Sequence, residues 1–342
     1  MSSHPVPSLP PVTIAPAPSL APPTPLRPVF PPDEGLPAAV AAIGNTPLLP
    51  LRRLAAHLGL SPSIELWLKA EWTNPGGSIK DRPALAIVRD ALGRGELGPG
   101  SGKTLLDATS GNTGIAYAML GAALGAPVEL VVPGSASAER KQILAAYGAK
   151  VTYSDPYDGS NGAIRLAREL AENGRDRYFY ADQYANPANP AAHFATTGPE
   201  IWRQTAGRLT HLVAGLGTTG TLMGTGRYLK RQNPDLTLVA VQPAESFHGI
   251  EGLKHLPTAI VPAIYDDTVP DLQLGAETEE AFDFVRALAR TEGLFAGVST
   301  GAALAGAHQL GRQLAERGQP AVVVAIAPDG GGRYLSTGLW NE

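Results

Sequence analysis

The sequence predicts an α/β protein: two open, mostly parallel α/β domains with a ligand cleft between them. Three observations carry this. From Ile43 onward, short apolar runs alternate with amphipathic helix-period segments, which implies parallel sheets covered by helices on both faces. The 342 residues suit two compact lobes rather than one. Hydrophobic residues at 44% and charged residues at only 17% support real cores.

In chain order, residues 1–37 form a proline-rich arm whose composition prevents helix and sheet pairing, so disorder is expected there. The arm lacks the basic and continuous apolar regions of a secretory signal. Ile64 to Ala70 reads as a strand, broken by Asn74-Pro75-Gly76-Gly77. Ser78 followed by Asp81 has capping-box spacing, which predicts a helix start at Ser78 and a helix through Ala84, Ile87, Val88 and Ala91. The spacing then predicts a strand at 104–108, a helix at 112–124, a strand at 128–132, a helix at 138–147, a strand at 150–154 and a helix at 161–171. The same rhythm returns with strands at 209–214, 236–241 and 321–326, and with helices at 222–231, 278–291 and 302–317. Gly98 to Thr104 resembles a phosphate-binding Walker loop, but Leu97 stands where its first glycine belongs and the loop precedes its strand. It reads as a surface turn.

Composition excludes several functions. The net charge of -4, from 27 basic and 31 acidic residues, offers nothing to nucleic acid or an anionic membrane. No apolar stretch reaches the 18 residues of a membrane span. With no cysteine there is no disulfide, thiolate metal site or cysteine nucleophile, and the seven histidines are scattered without an HExxH pair, so no metal is expected.

Four loops carry candidate chemistry. Lys80 falls in the first turn expected after Ser78, where the helix macrodipole disfavours a cation. It reads either as a solvated lysine beside Asp81 and Arg82 or as an amine of lowered proton affinity, able to form a Schiff base. Thr109-Ser110-Gly111-Asn112-Thr113-Gly114 joins a strand end to a helix start, either as an ordinary capped turn or as a nest of N–H groups for a carboxylate. Gly215 to Thr221 also opens a helix after a strand, with glycines for close approach and three threonine hydroxyls for a phosphate. It also matches GxGxxG, but the next strand ends at Gln242-Pro243 without the acidic residue a dinucleotide ribose requires. Ser299 reads as the N-cap of the last long helix, as a hydroxyl offered to a cofactor, or as both.

In this order and spacing, the four segments resemble the cysteine synthase group of the fold-type II pyridoxal-phosphate (PLP) enzymes, over the chain from about Ile43 to Leu339. The resemblance implies a smaller domain at 74–186, which carries the carboxylate loop, and a larger one formed by 38–73 plus 187–342. It implies that Lys80 is the catalytic residue and binds PLP as a Schiff base. Asn112 would bond the ring hydroxyl oxygen, Gly217, Thr218, Thr219, Gly220 and Thr221 the phosphate, and Ser299 the ring nitrogen. Thr109, Ser110, Gly111, Thr113 and Gln183 would hold the substrate carboxylate. The implied reaction makes L-cysteine from O-acetyl-L-serine and sulfide by β-replacement. A neutral serine at the ring nitrogen favours elimination and replacement over transamination.

The Gly-Thr-Thr-Gly-Thr loop and Arg333 to Gly338 look most like the B-type cysteine synthases. The dehydratase subgroup usually carries four glycines in the phosphate loop, and cystathionine β-synthases of the long form carry a regulatory tail beyond the catalytic core. Phosphoserine-using and B-type members tend to carry arginine where Lys254 stands. Lys254 therefore reads either as a ligand for an anionic donor or nucleophile, such as O-phospho-L-serine or thiosulfate, or as a solvated loop residue. The family also implies a cytoplasmic homodimer and, as partners, the tail of a serine acetyltransferase or a sulfur-carrier protein. Two rivals of other classes are a cofactor-holding docking module without turnover and a nicotinamide oxidoreductase.

Overall fold

The computed structural model describes residues 35–98, 100–109 and 111–340. The proline-rich arm therefore lies, through residue 34, outside the described residues, as does Ser110. Among the described residues, ten strands occur in chain order: β1 (Leu48–Pro50), β2 (Ile64–Ala70), β3 (Thr104–Ala108), β4 (Val128–Pro133), β5 (Lys150–Ser154), β6 (Tyr178–Tyr180), β7 (His211–Gly215), β8 (Thr237–Pro243), β9 (Leu272–Ala276) and β10 (Ala321–Ala327). The helices in chain order are α1 (Ala38–Ala41), α2 (Arg52–His57), α3 (Asp81–Gly93), α4 (Asn112–Leu124), α5 (Ala138–Ala146), α6 (Gly159–Asn173), α7 (Ala188–Ala195), α8 (Thr197–Gln204), α9 (Gly220–Gln232), α10 (Thr278–Glu292) and α11 (Val298–Glu316).

The strands form two sheets, in the orders β1-β2-β10-β7-β8-β9 and β5-β4-β3-β6. Every pairing is parallel except β1 with β2, so the larger sheet is mixed only at one edge. Alternate side chains of a strand point to opposite faces, and the larger sheet feeds a core on each face. Val213 of β7 and Val323 of β10 pack with Phe284 of α10 and Leu304 of α11. Their neighbours Leu212 and Val324 pack with Ile201 of α8 and Leu222 of α9. The smaller sheet is covered in the same way, with Leu105 facing the core of α3 and α4 and Leu106 facing α6. The four apolar residues expected to line α3 are all buried there, and Ala188 and Ala192 of α7 join the same core.

Helix α3 begins later than its capping-box spacing predicts. It starts at Asp81 with Lys80 at the N-cap position and no side-chain cap. The Asp81 carboxylate accepts the Gly76 N–H at 2.6 Å instead of reaching back to Ser78. The cause is the turn before it, closed by the Gly77 N–H on the Asn74 carbonyl at 2.7 Å, which brings Gly76 to face Asp81 while Ser78 pairs with Asp329. Lys80 thus stands at the mouth of the helix rather than inside its first turn.

Behind this start lies a buried network of charges. Arg82, Lys69, Glu71 and Glu200 are all at least nine-tenths buried. Arg82 donates from Nε to Glu71 Oε2 and from Nη1 to Glu200 Oε1, each at 2.7 Å. Lys69 donates to Glu200 Oε2 at 2.7 Å and to the Thr46 carbonyl at 2.7 Å. Buried ions persist only when paired and hydrogen-bonded throughout, and these are. Burial alone would raise the Glu200 carboxyl, but Arg82 and Lys69 outweigh it and hold it down at about 2.

Glu200→Gln would leave the two cations short of one charge, at a cost of about 3–5 kcal/mol at neutral pH, read by urea unfolding. Because the folded value of Glu200 lies below the ordinary 4.5, its contribution is complete above about pH 4.5 and is lost as pH falls toward 2. The gap between wild type and variant should therefore be constant at neutral pH and close on acidification.

Candidate active site

Parallel strands deliver their carboxyl ends to one side of a sheet, and the loops that follow them line the crevice there. Here the loops after β3, β7 and β10 meet around a cavity of about 590 Å³. Lys80, Thr109, Asn112, Thr113, Gln183, Gly217, Thr218, Thr219, Thr221, Lys254 and Ser299 all line it. Gly111 and Gly220 are not among the lining residues.

Lys80 is partly exposed, and it borders the cavity. Desolvation pushes its amine below the ordinary lysine value, against the opposing charges of Asp329 and Glu71. On the loop after β3, the Thr109 hydroxyl accepts the N–H groups of Gly111 at 3.1 Å and Gly114 at 3.0 Å. Two N–H groups expected to form an anion nest are thus spent on the loop itself. Thr113 donates to Gln183 Oε1 at 2.7 Å, and Gln183 Nε2 donates to the Ala108 carbonyl at 2.6 Å, so the two residues hold each other. Behind them, Asp107 accepts the Gln183 N–H at 3.3 Å, and burial, aided by Asp182, pushes its carboxyl up to about 8. Asn112 donates from Nδ2 to Asp329 at 2.6 Å and accepts at Oδ1 from Arg333.

The loop after β7 is tight and polar. A Cβ on Gly217 would stand 2.3 Å from the Gly252 carbonyl oxygen, and one on Gly220 2.0 Å from Asn189 Oδ1, so neither position admits a side chain without movement. Thr219 occupies the N-cap position of α9 without a side-chain cap, at φ 70°, a left-handed conformation unusual for a β-branched residue. Its buried hydroxyl has no hydrogen-bond partner among the described residues. Thr218 accepts from Asn189 Nδ2 at 3.2 Å, and Thr221 lies 3.4 Å from Nε2 of His193. Burial, then the positive charges of Arg82 and Lys80, push this imidazole well below its ordinary value, so it is neutral.

Two sequence readings change here. Ser299 is not the N-cap of α11: Gly297 holds that position, because its N–H is tied to the Asp329 carbonyl at 2.9 Å and the helix begins just after it. Ser299 sits in the first turn, 4% exposed. Lys254 is not a solvated loop residue. It is 7% exposed, its N–H donates to the Leu216 carbonyl at 2.8 Å, and its ammonium lies 4.8 Å from the centre of the Tyr184 ring. Nζ has no hydrogen-bond partner among the described residues, and burial lowers its proton affinity.

Sequence reasoning missed Arg140 and Asp329. Arg140 on α5 presses against Gly111, whose Cβ would stand 2.6 Å from its Nε, and pairs with Glu251, which also lines the cavity. Only its place on a helix facing a glycine loop would have signalled it. Asp329 had a clearer signal, an acid followed by three glycines just past a wholly apolar strand. No group of three or more His, Cys, Asp or Glu among the described residues is placed to hold a metal ion. No helix among them is long and apolar enough to cross a membrane.

Comparison with known proteins places this geometry. The family model described as pyridoxal-phosphate dependent enzyme matches residues 40–329. The chain is 52% identical over 300 residues to the cysteine synthase of Aquifex aeolicus, covering 88% of this chain and 91% of that protein. It is 45% identical over 305 residues to cysteine synthase B of Pseudomonas aeruginosa, covering 89% of this chain and 98% of that protein. It also matches the crystal structure of O-acetyl serine sulfhydrylase isoform 3 from Entamoeba histolytica, with a TM-score of 0.82 and 36% identity over 92% of this chain and 94% of that one. The residues present fit the family's cofactor. The unspent Thr219 hydroxyl and the uncapped N-terminus of α9 suit a phosphate, and an amine of lowered proton affinity lies on the same cavity. The chain belongs to the pyridoxal-phosphate-dependent enzyme family.

Proposed function

We propose that this enzyme makes L-cysteine by β-replacement, exchanging the acetate of O-acetyl-L-serine for sulfide. The observation that carries the reading is the convergence of Lys80, Asn112, the 217–221 loop and Ser299 on one cavity. Thr218, Thr219 and Thr221, with the positive end of α9, take the cofactor phosphate. Asn112 offers an amide N–H to the ring hydroxyl oxygen, and the buried Ser299 hydroxyl meets the ring nitrogen. When bound, pyridoxal phosphate supplies an electron sink for the substrate's Cα–H and Cβ–oxygen bonds. Lys80 anchors the cofactor, and its amine, less basic than an exposed lysine, serves as the base that takes the Cα proton. Thr113 and Gln183, with the loop from Thr109 to Gly111, hold the substrate carboxylate; Ser110 belongs to that loop but lies outside the described residues.

A specific observation favours a second donor. Lys254 brings a buried amine without a hydrogen-bond partner among the described residues to the cavity, where an anionic group would meet it. O-phospho-L-serine as donor, or thiosulfate as nucleophile, supplies such a group. Lys254 would act as a point charge, without the two-pronged grip of arginine. We also infer a cytoplasmic homodimer whose partners include a serine acetyltransferase tail or a sulfur-carrier protein, as the family resemblance implies. The unit at 74–186 is taken as the smaller domain that carries the carboxylate loop.

Lys80→Ala should abolish covalent attachment of the cofactor and lower turnover by at least about 100-fold, as read by mass spectrometry and a cysteine assay. Retained turnover would sink the assignment. Lys254→Met keeps the bulk of the side chain and removes its charge. It should raise KM for O-phospho-L-serine or thiosulfate about 10- to 100-fold and leave O-acetyl-L-serine with sulfide within about twofold. An equal change with both kinds of substrate would show that Lys254 does not select anions.

A further inference from the structure

Asp329 stands where the segments that carry Lys80, Asn112 and Ser299 come together. It follows Pro328 at the carboxyl end of β10, a strand buried along its whole length. Its backbone pairs with Ser78, two residues before Lys80. Its carbonyl accepts the N–H of Gly297, the cap of the helix that holds Ser299. The side chain is fully buried. Oδ2 accepts from Asn112 Nδ2 and from the Tyr334 hydroxyl, each at 2.6 Å. Burial, then the charge of Asp329, pushes the Tyr334 hydroxyl well above its ordinary value, so it remains a donor.

These contacts fix the Asn112 amide in one orientation. Arg333 donates to Asn112 Oδ1, and a guanidinium has no acceptor to offer. A carboxylate has no donor. Only with its oxygen toward Arg333 and its nitrogen toward Asp329 does Asn112 satisfy both. Reversed, it would set NH₂ against guanidinium and oxygen against carboxylate, two repulsive contacts in a partly buried place. The amide nitrogen carries two hydrogens, and Asp329 takes one. The second is the donor that Asn112 has left for the cavity it lines.

We propose that Asp329 is a positioning residue: with Arg333 it orients the Asn112 amide so that an N–H, and not the carbonyl oxygen, meets the ring oxygen of the cofactor. This rests on the reading of the site in the preceding subsection. A carbonyl oxygen there would repel the electron-rich ring oxygen; an N–H donor attracts it. The role is indirect, because Asp329 acts through Asn112.

The test is a double-mutant cycle on the full-length enzyme with Asp329→Asn and Asn112→Ala, read as the dissociation constant for pyridoxal phosphate titrated into cofactor-free protein. Asp329→Asn should weaken binding about tenfold or more when Asn112 is present and have no further effect when it is alanine. A second readout needs no cofactor: the two side-chain N–H resonances of Asn112 in cofactor-free protein. In wild type one of them should be displaced by the charge-assisted bond, and Asp329→Asn should remove that displacement. Equal loss of affinity in both backgrounds, or unmoved Asn112 resonances, would overturn the proposal. Wild-type protein that binds no pyridoxal phosphate would overturn this role and the proposed function together, whereas the resonances judge the orientation by themselves. If Asp329→Asn does not fold, Arg333→Met with Asn112→Ala forms the same cycle, with the same non-additivity expected and additive losses overturning the proposal.

Discussion

Arg82 shares one guanidinium between Glu71, at the end of β2, and Glu200, on α8, and the position of Lys80 follows from that. The lysine lies two residues before this arginine, at a helix start without a side-chain cap. A chain end of that kind frays unless something beyond its own hydrogen bonds holds it. Here the restraint is electrostatic and buried, so it is screened little by salt or water. Gly44, Asn45 and Asn74 add hydrogen bonds to the same carboxylates or their partners, which ties the entry to β1 into the network as well. Most of this polarity serves geometry, and none of these charged groups lines the cavity.

The cavity shows the reverse pattern. Buried polar atoms in a folded protein are normally paired, and each exception asks for a reason. Two such exceptions line this cavity, the hydroxyl of Thr219 and the amine of Lys254, both buried and without a hydrogen-bond partner among the described residues. The flanking groups are tied to one another: Thr113 to Gln183, Asn189 to Thr218, and Asn112 to Asp329 and Arg333 with one amide hydrogen left over. A rim tied together by such bonds fixes the direction of the donors it still offers. The two readings of Lys254 differ in burial, which a loop sequence rich in glycine does not reveal.

Much of the architecture was legible because the signals are local. The strands at 64–70, 104–108 and 150–154 and the helix at 112–124 are apolar runs bounded by turn residues, and they lie where periodicity places them. β1 and β6 escaped notice because three residues are too few to show a period. β9 is an edge strand, mostly exposed, with little apolar pattern to find. α7 and α8 were hidden by the prolines at 190 and 199 in their first turns, a position that tolerates proline. The site divides in the same way. Glycine-rich loops after strands mark themselves, so the 109–114 and 215–221 segments could be singled out. Asp329 could not be tied to Asn112, because their contact spans 217 residues and no local pattern encodes it. The capping box at Ser78 failed for a related reason: the partner that won Asp81 was a turn whose shape depends on tertiary contacts.

The order of strands in the larger sheet sets a condition on synthesis. β2, near the beginning of the chain, is a neighbour of β10, near its end, and seven residues pair along their length. The smaller sheet, from Thr104 to Tyr180, is contiguous in sequence and has all its strands well before that. As the chain leaves the ribosome, the smaller sheet can close first, while β2 waits for a neighbour made after all of that sheet's strands. Until then the edge of β2 that β10 will cover is an unpaired template for other chains. Ser299, which lines the cavity, comes between β9 and β10, so the cavity is completed only well after the smaller sheet has been made.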